Sequence, residues 1–278
     1  MTRWEGSREF RRNRGAVLGV LVVGVLVAAA VLAPALAPYD PTLTDADRVL
    51  RAPGGAHLLG TDQYGRDVLS RILHGASASL QVGIIAVGIA ASGGMLLGLL
   101  SGYYGRWIDL VVMRVIDVML AFPSILLALG IVAVLRPSLN NVMLAVGIAG
   151  VPIYTRLVRG QVLATKALTY VEAARTTGCR DARIVARHIL PNVVAPVIVV
   201  ATLGVAGAIL TGAALSFLGL GAQPPSSEWG AMLSDGRAFL RRAWWVTTFP
   251  GLAITVTVLA INMVGDGLRD ALDPRLKT

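Results

Sequence analysis

The chain has 278 residues, 55% of them hydrophobic and only 15% charged, with a mean hydropathy of +0.69. A soluble domain carries about a quarter charged residues. Here the shortfall is concentrated in uncharged runs at 15–38, 81–105, 137–155, 188–227 and 243–265, a pattern that excludes an ordinary water-soluble domain.

Each of these runs except 188–227 is close to one membrane span of about 20 residues, or about 30 Å of helix. A sixth segment, 110–135, is interrupted only by Arg114 and Asp117. The expectation is an all-α integral membrane protein with six transmembrane helices. The first helix, about 15–37, ends in Pro34 and Pro38. Arginines precede it and small residues follow at 33–37, but the apolar run from Val17 to Ala33 exceeds the roughly 7–15 residues of a signal peptide, so a retained helix is expected. Residues 39–66 read as an extracytoplasmic segment, and 67–79 as a short amphipathic helix leading into the second span at about 80–102. The third span, about 107–135, contains Pro123 as an expected kink, and the fourth, about 139–163, contains Pro152. A charged segment at 164–191 precedes the fifth span at about 192–217. The outer loop 218–244 holds Trp229 and Trp244, and Trp245 follows at its edge; all three are expected as interfacial anchors. A sixth span, about 247–268, leads to a short tail. The organisation expected is 1–79 as N-terminal tail, first helix and outer segment, and 80–278 as a five-helix core carrying the loop 164–191.

The net charge of +9 does not call for nucleic acid. With the N-terminus inside, 17 of the 25 Lys and Arg fall on the cytoplasmic side, as the positive-inside rule expects. Both termini are therefore expected in the cytoplasm, and the basic excess sets topology in lipid. Stripes of small residues, Ala86, Ala90, Gly94, Gly98 and Gly102 on the second helix and Gly204, Ala208, Gly212 and Ser216 on the fifth, suit close helix packing.

Several chemistries are missing. The only lysines, Lys166 and Lys277, stand in no phosphate-cradling loop. Single Cys179 excludes an internal disulfide and a paired-cysteine metal knuckle. His57, His74 and His188 are scattered, and the segment 62–67 fails the oxygen spacing of a calcium loop. Asp109, Arg114 and Asp117, and Asp266, Arg269 and Asp270, place opposite charges three apart, so local pairing is expected rather than a proton relay. Any driving energy must come from a partner.

The segment EAARTTGCRDARIVARHILPN, residues 172–192, is the exception to this oily character. Glu172 falls near the start of a short helix, where the dipole favours an anion. Gly178 suits a left-handed turn, with φ above zero. A second helix is expected over about 181–190, with Ile184, Val185, His188 and Ile189 on one face and Arg180, Arg183 and Arg187 on another. On residues alone, an amphipathic loop lying on lipid and a docking element both stand.

Glu172-Ala173-Ala174, Gly178 and Leu190-Pro191 match in spacing the motif that permease subunits of binding-protein-dependent ABC importers carry, which this stretch resembles. His188 stands where the general pattern has Ile, and His-Ile-Leu-Pro-Asn resembles the peptide-importer branch. The stretches Leu59–Asp67 with Ser70-Arg71, Ala121–Ser124, Ser216–Gly221 and Gly265–Pro274 are similar to signatures of the second permease of dipeptide, oligopeptide and nickel importers. The resemblance implies a type I importer permease fold with a cytoplasmic coupling helix in the prokaryotic inner membrane. It implies that Glu172, Ala173, Ala174, Gly178, His188, Leu190 and Pro191 contact the ATPase. It also implies a second related permease, two cytoplasmic ATPase subunits that hold ATP and Mg, and an extracytoplasmic solute-binding protein, with no cofactor in this chain. Peptides are the expected cargo. A nickel or other metal chelate or glutathione is the alternative, and an autonomous channel or carrier the remote one.

Overall fold

Asn13 opens the first described helix, α1 (Arg14–Leu36), its side chain accepting from Ala16 N at 3.1 Å. The computed structural model describes residues 13–272. The arginine-rich start at 1–12 and the end of the last signature, Asp273-Pro274, lie outside the described residues. Helices account for nearly all the rest. Five are long and apolar enough to cross a membrane, and a sixth crossing is available if one bent pair counts as a single span.

The helix α2 (Val68–Tyr104) runs unbroken for 37 residues. At 1.5 Å per residue it is about 55 Å long, well beyond a hydrocarbon core of about 30 Å. The separate amphipathic helix expected at 67–79 is therefore the overhanging first part of α2. Nothing between Ser70 and Leu80 breaks the backbone ladder, and Asp67 caps its start through Ser70 N at 2.8 Å.

Pro123 does more than kink the third span. The helices α3 (Arg106–Leu120) and α4 (Ser124–Leu135) meet at 93° across residues 121–123. Proline supplies no N–H to the ladder and disfavours helical backbone at the residue before it. Pro152, by contrast, is absorbed inside α5 (Leu139–Lys166). Then come α6 (Thr169–Thr176), α7 (Asp181–Ile184) and α8 (Leu190–Phe217), the last two joined by a π-helical turn at Val185–Ile189. The chain is thus helical without a break from Asp181 to Phe217, so Pro191 does not mark a boundary. The short α9 (Trp229–Gly236) precedes α10 (Trp245–Leu272).

The main core lies where α2, α4, α5 and α8 converge, around Val82, Val132, Val142, Val158 and Leu215. The small-residue stripe of α2 lets α5 approach closely. A Cβ on Gly98 would lie 2.6 Å from Val158 Cβ and 2.7 Å from Thr155 O. Ion pairs tie α3 to α5 rather than forming within one helix as expected: Asp109 holds Arg159 at 2.6 Å and Asp117 holds Arg156 at 2.6 Å. On α10, Asp270 accepts from Asn13 Nδ2 at 3.1 Å.

At the end opposite the 167–189 segment, residues 37–67 and 218–244 fold over the overhang of α2. Asp62 accepts from Tyr64 N at 2.8 Å and Arg66 N at 3.0 Å and pairs with Arg66 Nε at 2.6 Å, while Asp67 meets His57 Nδ1 at 2.9 Å. The signature around Asp62 therefore builds a buried polar turn. Trp229 and Trp245 are buried and donate their indole N–H to Ile72 O and Thr61 O, both at 3.1 Å. Of these three, only Trp244 is exposed, so two of the expected anchors belong to the packing of this cap. Glu228 is buried there as well, capping α9 through Gly230 N and Ala231 N, both at 2.9 Å. Burial pushes its carboxyl above the usual glutamate range, against the pull of those amides.

Candidate functional site

The charged segment forms an arm at the end of the bundle shared by the C-termini of α2 and α5. Helix α6 buries Val171 in the main core and places Glu172 in its first turn. The helix then stops in a Schellman arrangement. Cys179 N donates to Ala174 O at 3.1 Å, Gly178 N donates to Arg175 O at 3.1 Å, and Gly178 takes φ 78. A Cβ at Gly178 would meet nothing within 4 Å, so only the backbone geometry asks for glycine.

Beyond the turn, Ile184 and Ile189 are fully buried and pin α7 and the π turn to the bundle. The π turn has a local cause. Pro191 supplies no N–H and its ring crowds the carbonyl four residues back. An inserted residue relieves this, with Leu190 N reaching back to Val185 O and Asn192 Nδ2 covering His188 O at 2.6 Å.

Three polar contacts fix the arm from the bundle side. Tyr103 Oη donates to Asp181 Oδ1 at 2.6 Å, Lys166 Nζ donates to Tyr103 O at 2.6 Å, and the Arg175 guanidinium lies 5.8 Å from the Tyr103 ring centre. At the base, Asn192 Nδ2 donates to Tyr170 Oη at 3.1 Å and the Tyr170 and His188 rings stand 6.0 Å apart.

The seven residues singled out from the sequence divide into two groups. Glu172, Ala173 and Gly178 are exposed on the arm, with Ala174 half-buried behind them. His188 and Leu190 are half-buried and Pro191 is exposed at the base of α8, joined to the arm through Tyr170. Sequence reasoning missed Tyr103, Lys166 and Tyr170. Tyr103 lies 78 residues from Asp181, and no local pattern signals that pairing. The result is a firmly held arm whose outward face mixes Glu172 with exposed Arg175, Arg180, Arg183 and Arg187. Such a face suits a protein surface of mixed charge.

Residues 94–278 match the family of binding-protein-dependent transport system inner membrane components, and residues 2–53 match the N-terminal transmembrane domain of oligopeptide transport permease C. A dipeptide transport system permease protein of Escherichia coli is 52% identical, covering 96% of this chain and 91% of that protein. One from Alkalihalophilus pseudofirmus is 49% identical over 99% of this chain and 90% of its own length. A glutathione transport system permease protein of Pectobacterium atrosepticum is also 49% identical, over 100% and 93%. Among solved structures, an inward-facing methionine ABC transporter, MetNI, superposes with a TM-score of 0.59 at 18% identity, covering 74% of this chain and 98% of that one. That likeness establishes the type I importer permease fold. The described chain is accordingly a multi-pass inner-membrane protein, and it belongs to the family of binding-protein-dependent transport system inner membrane components.

Proposed function

We propose that the chain is one of two related permease subunits of an ATP-driven importer of di- and oligopeptides, forming half of the passage. Two cytoplasmic ATPase subunits bind ATP and Mg and carry out hydrolysis, and an extracytoplasmic binding protein delivers the peptide. The chain itself contributes no nucleotide site. Both termini and the 164–191 segment face the cytoplasm.

The observation that carries the coupling role is the anchored arm. Val171, Ile184 and Ile189 root it in the core, while Glu172, Ala173 and Gly178 stay exposed for a partner. A surface seated in the ATPases and rooted in the bundle transmits their closure to α2, α5 and α8. Such coupling requires only that the ATPase dimer favour one bundle arrangement over the other. The peptide cargo rests on the dipeptide permeases that match over nearly the whole chain. Glutathione is a second reading, supported by the 49% identical relative named for it.

Purifying the complex with its loaded binding protein and identifying the co-purifying ligand by mass spectrometry tests the cargo. Di- or oligopeptides support the proposal, glutathione alone moves it to the second reading, and a metal chelate overturns it.

A further inference from the structure

We propose that the passage carries a station for the charged ends of its cargo: the Asp117–Arg156 ion pair, at the edge of the cavity between α2, α5 and α8, engages the ammonium and carboxylate of a passing peptide. This rests on the peptide-import reading above.

A cavity of about 390 Å³ lies between these helices, lined by small or apolar residues such as Ala90, Gly150, Ile153 and Gly204, with Ser124 from the start of α4 at its rim. Among the described residues, no charged side chain lines it. One turn further along the exposed face of α5, toward Lys166, stands Arg156. Its Nη2 donates to Asp117 Oδ1 at 2.6 Å, and the two side chains are 54% and 51% exposed.

Depth makes that exposure informative. Arg156 is ten residues from the end of α5 and Asp117 eleven from the start of α3. Both measures place the pair about 15 Å from the arm end, with Arg156 about 25 Å from the start of α5, in the arm-side part of the span. Charges at that depth face water or protein rather than lipid. Arg156 shares the exposed face of α5 with Ile153, which lines the cavity, and it brings Asp117 of α3 alongside.

The neighbouring pair behaves differently. Arg159 holds Asp109 through two contacts, 2.6 and 2.7 Å, with Ser101 Oγ donating to the same carboxylate at 2.5 Å. That pair is more covered and serves as the α3–α5 staple. Asp117 and Arg156 share one contact, leaving a carboxylate oxygen for an ammonium and guanidinium N–H groups for a carboxylate. The wall offers peptide side chains no charge to select on. The two terminal charges, common to every peptide, meet their complements at this one level.

The test uses the whole importer with its binding protein, in nanodiscs for labelling and in cells for uptake. Replacing both partners, Asp117→Leu with Arg156→Leu, keeps an α3–α5 contact, because apolar replacement of an ion pair is tolerated by packing. Dipeptide uptake should fall at least about ten-fold at matched membrane abundance, the loss of charge-assisted hydrogen bonds, while binding-protein-stimulated ATP hydrolysis persists. Wild-type uptake in this variant would reduce the pair to a staple and overturn the station. Independently of that variant's folding, Ile153→Cys in a Cys179→Ser background should react with a charged thiol reagent and be protected during peptide turnover. A silent cysteine would mean that lipid or the partner permease covers this face, which also overturns it. Dipeptide uptake that survives removal of the whole chain would instead sink the peptide-import reading, and is read separately from the wild-type control.

Discussion

Gly178 holds φ 78 in open space, and that combination isolates a backbone effect from a packing one. Gly178→Val should strain the turn by about 1–2 kcal/mol and tilt α6 without disturbing the buried Ile184 and Ile189. Glu172→Lys puts the wrong charge in the first turn of the same helix. Both variants should reach the membrane at normal levels yet retain less ATPase in a pull-down and lose most peptide uptake. Normal retention and uptake in both would leave the arm a plain connector. Glu228 poses the opposite case, a carboxyl fixed by burial rather than exposure. Its folded pKa is raised, so the folded cap binds the proton more tightly than the unfolded chain does. The stability it contributes is complete below the ordinary glutamate range and is lost as pH rises through the raised value. Thermal unfolding across that window should show this decline in the wild type and a flatter profile in Glu228→Gln, which mimics the protonated acid. Parallel profiles would remove Glu228 as the titrating group.

The α2–α5 contact turns a sequence stripe into a measurable constraint. Gly98→Val would drive a branched side chain into Val158 and the Thr155 carbonyl, and overpacking of this kind costs about 1–3 kcal/mol. Aggregation on heating in detergent should shift to lower temperature, whereas Gly88→Val, whose added Cβ meets nothing within 4 Å, should leave it unchanged. Equal shifts would mean that helix propensity, not packing, sets the cost. What could be read in advance follows the same division. Long apolar runs gave the spans, because length and hydropathy are local properties. The Gly178 turn was legible because one residue type tolerates that backbone. The 93° break was foreseen only as a kink, since Pro123 dictates a missing hydrogen bond and not the angle the neighbours impose. The π turn and the unbroken run into α8 escaped notice, because proline reads as a boundary unless an inserted residue absorbs it. Buried Trp229 and Trp245 escaped for a longer-range reason: their partners, Ile72 and Thr61, lie 157 and 184 residues away.

At the scale of the whole molecule the bundle has two unlike ends. One carries the folded cap of 37–67 and 218–244, with its buried Asp62–Arg66 pair. The other carries the arm with its exposed arginines. Six crossings, with the bent α3–α4 pair counted as one, bring Asn13 and Asp270 to the same, arm end, as their hydrogen bond requires of the first and last spans. Basic residues are retained on the cytoplasmic side during insertion, so the arm is expected inside and the cap outside. Single cysteines in a Cys179→Ser background provide the measurement. Thr44→Cys and Gln223→Cys, both exposed on the cap, should label in intact cells with a reagent that cannot cross the membrane. Ala182→Cys, exposed on the arm, should label only after lysis. The reverse pattern would invert the molecule, place the arm beyond reach of any cytoplasmic ATPase, and end the coupling proposal along with the orientation. Labelling at Thr44 without Gln223 would break the cap into two sides. It would also require α3 and α4 to re-enter rather than cross, since an odd number of crossings would then separate the two sites.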